Sequence, residues 1–255
     1  MQVREVMLYF SLKYKGVWED IYEAIKSFVP IDEEEFRLLK EKNEASYVTI
    51  VDEEYPKSLK NINRPPFVLY YYGKYEYINY MNKMAVVGSR EPSQYGIKAT
   101  QSVLSRVNGN EVVFVSGLAR GIDTIAHKIA LENNIPTIAV LGTGIDYCYP
   151  KENYELYEDI KKYGLILSEY PYKENVSNKN FSQRNRIITG ISRFVFAPDV
   201  KDHSGTLISI RFALAQDKDV FVFPCSIFED SIANKLIQDG AKLIIEPIDI
   251  IEEFR

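Results

Sequence analysis

The spacing of apolar residues divides the chain in two. Over the first sixty residues they recur at three- and four-residue intervals, which predicts helices at 17–28 and 34–42, with a short β-like run at 47–51. Arg64-Pro65-Pro66 breaks any helix, and the run 67–72 then reads as a strand ending at Gly73. The expected organisation is a small N-terminal helical domain (1–62) and a larger domain (63–255). From about residue 82 short apolar runs follow at 84–87, 112–115, 137–141, 165–167, 194–197, 220–223 and 242–245, with helical stretches between most of them. After the second run, Ile122, Ile125, Ala126, Ile129 and Ala130 fall at i, i+3, i+4, i+7 and i+8. Near-continuous apolar strands alternating with amphipathic helices predict an α/β fold, a mostly parallel sheet with helices on both faces.

Composition narrows the function classes. Hydrophobic residues at 46% supply a real core, so wholesale disorder is excluded, and no apolar run is long enough to span a membrane. Charge breaks the apolar stretch at the start, so no signal peptide is expected; the two distant cysteines, Cys148 and Cys225, suit a reducing, cytoplasmic setting. With two histidines as well, no zinc site and no cofactor are expected. The net charge of −5 argues against a nucleic-acid binder, but it is unevenly spread. Residues 173–211 carry 7 Lys/Arg against 3 Asp/Glu, whereas residues 1–60 carry 9 against 13 and 217–255 carry 4 against 9. Screening over about 8 Å makes the local field count for more than the total, so the basic window can form a phosphate-binding patch.

In parallel sheets ligands bind at the carboxyl ends of strands, and four strand-end loops here carry suitable chemistry. Gly88-Ser89-Arg90 offers close backbone approach, a hydroxyl and a permanently charged fork. Loop 116–123, with Ser116, Gly117, Arg120 and Gly121, leads into a helix whose first amides attract anions. Gly142-Thr143-Gly144 is the third, and Asp202-His203-Ser204-Gly205-Thr206 the fourth. Each is by itself compatible with a plain tight turn. Neither the phosphate-loop pattern G-x-x-x-x-G-K-[ST] nor the dinucleotide pattern G-x-G-x-x-G is present. Between the third and fourth loops, Lys179, Phe181, Arg184, Asn185 and Arg186 place three cations around one aromatic, the combination that tracks a backbone and stacks a base in single-strand recognition. On a helix starting near Phe181, Phe181, Arg184 and Ile188 share a face while Arg186 points elsewhere; its competing role is an internal salt bridge, with Glu169 as the candidate partner.

Six motifs in order carry a family resemblance: Gly88-Ser89-Arg90; Ser116-Gly117-x-Ala119-x-Gly121-Ile122-Asp123; Gly142-x-Gly144-x-Asp146-x-x-Tyr149-Pro150-x-x-Asn153; Ser168-Glu169-Tyr170-Pro171; Arg184-Asn185-Arg186-Ile187-Ile188-x-Gly190; and Ser204-Gly205-Thr206-Leu207-Ile208. Over roughly residues 45–245 the chain resembles the DprA/Smf family of DNA-processing proteins. The resemblance implies an extended Rossmann-like fold and a non-catalytic homodimer that binds single-stranded DNA in a basic pocket. It further implies loading of the RecA recombinase in natural transformation or recombination. It makes Arg90 a phosphate ligand, gives Gly117 and Gly121 the shaping of the second loop, lines the pocket with Lys179, Phe181, Arg184 and Arg186, and closes it with Ser204, Gly205 and Thr206. Arg120 is assigned on charge and location alone. The chain departs from the family pattern at Ser182, Pro198, Cys225 and 233–237, and, ending at Arg255, it reads as a short form without the C-terminal winged helix.

Two other readings use the same pocket. A nucleoside-monophosphate hydrolase would need a carboxylate where Ser209 stands. A nucleotide-sensing module would bind with little dependence on salt, unlike a protein that neutralises several phosphates of a strand.

Overall fold

The computed structural model describes residues 2–107, 112–172, 177–202 and 204–254. The chain opens with three helices, α1 (Val3–Lys13), α2 (Trp18–Lys26) and α3 (Glu33–Glu41). The side chain of Asp32 caps α3 by accepting from the Glu34 and Glu35 amides, both at 3.0 Å. Two strands follow, β1 (Ser46–Thr49) and β2 (Val68–Gly73), paired antiparallel with Ser46 opposite Tyr71.

Strands and helices then alternate: β3 (Lys83–Val86), α4 (Gln94–Leu104), β4 (Val113–Ser116), α5 (Ile122–Glu132), β5 (Thr137–Gly144), α6 (Tyr154–Tyr163), β6 (Leu165–Tyr170), α7 (Asn178–Ile191), β7 (Phe194–Ala197), α8 (Gly205–Ala215), β8 (Val220–Val222), α9 (Ala233–Gln238), β9 (Lys242–Leu243) and α10 (Pro247–Glu252). Among the described residues all strands join one sheet in the order β1-β2-β6-β5-β4-β3-β7-β8-β9. From β6 across to β9 every pair is parallel, while β2 joins β6 antiparallel. The α/β class expected from the alternation is the observed one, and the strands lie within a few residues of their predicted positions.

Period two in the strands assigns the two faces. Ile138 and Val140 of β5 point to the face covered by α7 and α8, with Ile187, Ile188 and Ile210. Ala139 and Leu141 point to the other face, where α6 and the N-terminal helices pack through Leu8, Phe10, Ile21 and Ile160. Further along that face α5 covers Met84, Val86 and Phe114 with Ile122 and Ala126. The position expected to separate the two domains falls between β1 and β2. Tyr55, Leu59 and Ile62, just before it, pack in the same core as Leu69 and Ile187.

Candidate nucleic-acid interface

The chain runs outward from β3 through β4, β5 and β6, then returns along α7 to place β7 on the opposite side of β3. The carboxyl ends of β3 and β7 therefore meet at the point where the strand order reverses, the position at which sheets of this kind bind ligands. A cleft of about 420 Å³ opens there. Gly88, Ser89 and Arg90 after β3 form one side; Lys201, Ser204, Gly205 and Thr206 after β7 form the other; Phe181, Arg184, Asn185 and Ile188 of α7 complete it. His203 of the fourth loop lies outside the described residues. The shared face of Phe181, Arg184 and Ile188 expected from helical spacing is the face that lines the cleft.

The loop after β3 is held by its backbone. The Ser89 amide donates to the Asp199 carbonyl at 3.1 Å, and the Ser89 carbonyl accepts from the Ile122 amide at 3.2 Å. Gly121, at φ +75°, comes so close to the Ser89 carbonyl that a Cβ would collide with it. Arg90 is left exposed, its guanidinium 5.6 Å from the centroid of the Phe181 ring, with no salt bridge to any described residue. Phe181 is half-buried over Gly142, and its ring lies 5.4 Å from that of Tyr149, which is 39% exposed. Phe181 and Arg90 line both this cleft and a second one of about 250 Å³, lined also by Tyr149, Arg120, Gly117 and Pro150. At the amino end of α8 the Ser204 and Thr206 hydroxyls are enclosed, and neither has a hydrogen-bond partner among the described residues. The first-turn amides of α8, at the edge of the cleft, suit an anionic oxygen.

The arginines expected to line the cleft divide into two kinds. Arg184 is buried beneath the cleft floor, where Nη1 donates to the Gly117 carbonyl at 2.6 Å and to the Val140 carbonyl, and Nε donates to Asn185 Oδ1 at 3.1 Å. A Cβ on Gly117 would strike this guanidinium, so the glycine at that position makes room for it. Burial pulls the Arg184 guanidinium down to about 10, still charged at neutral pH, and the Asp123 carboxylate opposes that shift. Asp123 in turn accepts from the Gly117 and Ala119 amides at 3.1 and 3.2 Å; burial pushes its carboxyl up while Arg184 pulls it down. Arg184 thus braces loop 116–121 as much as it charges the cleft.

Arg186 does not reach the cleft. It points into the protein, where Nη2 donates to both Glu169 oxygens at 2.6 and 2.8 Å, and both side chains are almost completely enclosed. The internal salt bridge raised as its competing role is its observed role. Ser116 is also absent from the cleft wall: it is fully buried and its hydroxyl donates to the Val86 carbonyl at 2.6 Å, tying β4 to β3. Arg120 is exposed but paired with Glu152 on the surface. Lys179, 65% exposed, stands 3.7 Å from Glu19 of α2.

Lys201 and Tyr149 are the site residues that sequence reasoning missed. Lys201 follows the strand 194–197 inside the basic window, and Tyr149 belongs to the third motif, so position in a strand-end loop was the signal for both. Where a hydrolase would carry its carboxylate, Ser209 lines the cleft; the lining carboxylates are Glu91 and Asp123, the latter occupied by backbone amides. Among the described residues no group of three or more His, Cys, Asp or Glu could hold a metal ion, and no helix is long and apolar enough to cross a membrane.

Comparison with known proteins fits this geometry. The chain is 42% identical over 219 residues to the DNA processing protein DprA of Streptococcus pneumoniae, covering 85% of this chain and 77% of that protein. It is 39% identical to the protein Smf of Synechocystis, covering 82% of this chain and 54% of that one. The crystal structure of the pneumococcal protein superposes with a TM-score of 0.83 at 36% identity, over 98% of this chain and 93% of that chain. A Helicobacter pylori DNA processing protein A, solved in a study of its single-stranded DNA binding mode, matches with a TM-score of 0.74 at 31% identity, over 82% of this chain and 95% of that chain. The model of the family described as DNA recombination-mediator protein A matches residues 46–255, and the chain belongs to that family, known also as DprA/Smf.

Proposed function

We propose that this protein binds single-stranded DNA in the cleft at the carboxyl ends of β3 and β7, and that it does so in DNA recombination without catalysing a reaction on the strand. One observation carries the reading. Phe181 lies beside the Arg90 guanidinium, which has no salt bridge to a described residue, and ring to ring with Tyr149, while Lys201 and the amino end of α8 stand across the cleft from Phe181 and Arg90. Rings that stack on bases of any identity, next to cations that track phosphates, suit an unpaired strand and give little sequence preference. The relation to the Helicobacter pylori protein, whose single-stranded DNA binding mode was studied, supports the same ligand.

In this reading Lys179 and Arg120 extend the phosphate-contacting rim, Arg184 and Asn185 shape its floor, and the bound strand is presented to a RecA-type recombinase in the cytoplasm. The working form is a homodimer. Its C-terminal segment carries Ile227 and Phe228, 85% and 92% exposed, and Ile245, 64% exposed, more apolar surface than an isolated loop needs. Light scattering should give twice the chain mass at tens of micromolar, and Phe228→Glu should give the monomer.

The deciding experiment is a gel-shift titration with single- and double-stranded oligonucleotides at two salt concentrations. The expected result is preference for the single strand and an affinity that falls steeply with salt. Equal or tighter binding of duplex would overturn the reading, and a salt-insensitive response to mononucleotide alone would favour a nucleotide sensor.

A further inference from the structure

A second aromatic and cationic surface adjoins the cleft, on the N-terminal helices. Trp18, Tyr22 and Lys26 recur every four residues along α2 and so share one side of it. Trp18 stacks on Phe67 with ring centroids 5.4 Å apart and on Tyr22 at 5.0 Å, the latter pair nearly parallel at 11°. Its indole nitrogen donates to the Pro65 carbonyl at 2.8 Å, which fixes the stack. Tyr22 is the exposed member, at 42%, and Lys26 lies 5.9 Å from its ring centroid. Arg64 sits 5.7 Å from the Trp18 ring.

This stack is joined to the cleft by one bridge. Glu19 holds Arg64 at 2.7 Å and Lys179 at 3.7 Å, and Lys179 lies two residues before Phe181 in α7. A line of cations and rings therefore runs from the cleft through Lys179 and Arg64 to Trp18, Tyr22 and Lys26. Glu19, the acid within it, is shared between two cations; a hydrogen bond from its own backbone amide, and then the charges of Lys179 and Arg64, hold its carboxyl below the ordinary range. Of the remaining acids of α2, Asp20 and Glu23 line a shallow cleft with Tyr14 and Val29.

We infer that this line is a second segment of the single-strand track: a strand leaving the cleft crosses Lys179 and Arg64, whose contacts with Glu19 yield to phosphate, and stacks a base on Tyr22 beside Lys26. The inference rests on the single-strand reading of the cleft. It adds that the N-terminal helices read DNA length, since a strand must be long enough to reach Tyr22. The chemistry is that of unpaired nucleic acid, because a duplex offers no ring face to Tyr22.

Two oligothymidylates separate the segments, one of about 5 nucleotides, which fills the cleft alone, and one of about 20, which reaches past it. Tyr22→Ala should weaken the 20-mer at least about 5-fold and leave the 5-mer unchanged, while Tyr22→Phe keeps both affinities. Lys26→Gln should reduce the salt slope of the 20-mer by about one and leave that of the 5-mer alone. Trp18 is the single tryptophan of the chain, so its emission is an independent readout: the 20-mer should change it and the 5-mer should not. If Tyr22→Ala binds both lengths as the native protein does, or if the bound 20-mer leaves Trp18 emission untouched, the second segment does not exist and the cleft reading stands. Equal weakening of both lengths, with a lowered melting temperature, would make Tyr22 a structural residue and also overturn the inference. If the native protein binds neither length, the cleft reading itself falls and takes this one with it.

Discussion

Lys179 in the first turn of α7 is 65% exposed, whereas the side chain of Arg186, two turns on, is 3% exposed. Both are cations of one basic helix. Solvent screens the first and lets it exchange a carboxylate for a phosphate at little cost. The second has been stripped of water, and its charge requires a fixed partner, which Glu169 supplies. Arg184 and Arg90 repeat the contrast: one is held by the Gly117 and Val140 carbonyls under the floor, the other is free at the rim. Positive charge in the sequence thus falls into two layers, a buried one that fixes the shape of the cleft and an exposed one at its rim, which the proposed function assigns to the strand.

The buried layer should answer to stability measurements and the rim to binding measurements. The largest effect is expected from Glu169→Ala, which leaves Arg186 charged and enclosed without its partner. Urea unfolding should show a loss of about 3–5 kcal/mol, and replacing both residues by apolar ones of similar size should recover most of it. If strand affinity of the folded protein fell while stability held, the division into layers would be wrong.

Next in size is a response to acid. His127 is fully buried in α5, and burial, aided by the positive charge of Arg184, holds its imidazole down to about 3. The unfolded chain takes up that proton near its ordinary value, so the folded form is the poorer proton binder between the two. Stability should therefore fall as pH drops below about 6.5, by up to about 1.4 kcal/mol per unit. His127→Asn, which can keep the contact with the Thr137 hydroxyl, should flatten the stability profile between pH 6 and 4 in urea titrations. Binding to DNA at pH 7 should not change.

At the rim, Phe181→Ala should cost about 1–3 kcal/mol of strand binding with little change in salt slope, and Phe181→Tyr should keep most of the affinity. Thermal melting is the control: a large loss of melting temperature with unchanged affinity would move Phe181 into the buried layer. Arg90→Ala should weaken binding to every oligonucleotide sequence and lower the salt slope by about one. Lys179→Gln should have the smallest effect, because Glu19 already neutralises part of that charge in the free protein.

Local spacing settled a good deal. Short, near-continuous apolar runs such as 137–141, period 3.6 in 122–130 and the proline break at 65–66 determined the strands, the helices and the α/β class. Loops at strand ends were legible as lining one cleft, because any parallel sheet brings those ends together. The shared face of Phe181, Arg184 and Ile188 followed from helix geometry alone. What local spacing could not decide was which charges the fold would bury. Arg184 and Arg186 lie two residues apart on one helix. Both end buried, and their different surroundings come from the Gly117 and Val140 carbonyls and from Glu169, groups on or next to β4, β5 and β6 that the sheet order carries to α7. Lys201 and Tyr149 became site residues for the same reason, since two loops far apart in the chain meet Phe181 and Arg90 only after the crossover from β6 to β7 is made. A residue's type and period fix its direction on its own element, whereas its desolvation is set by whatever the rest of the chain packs against it.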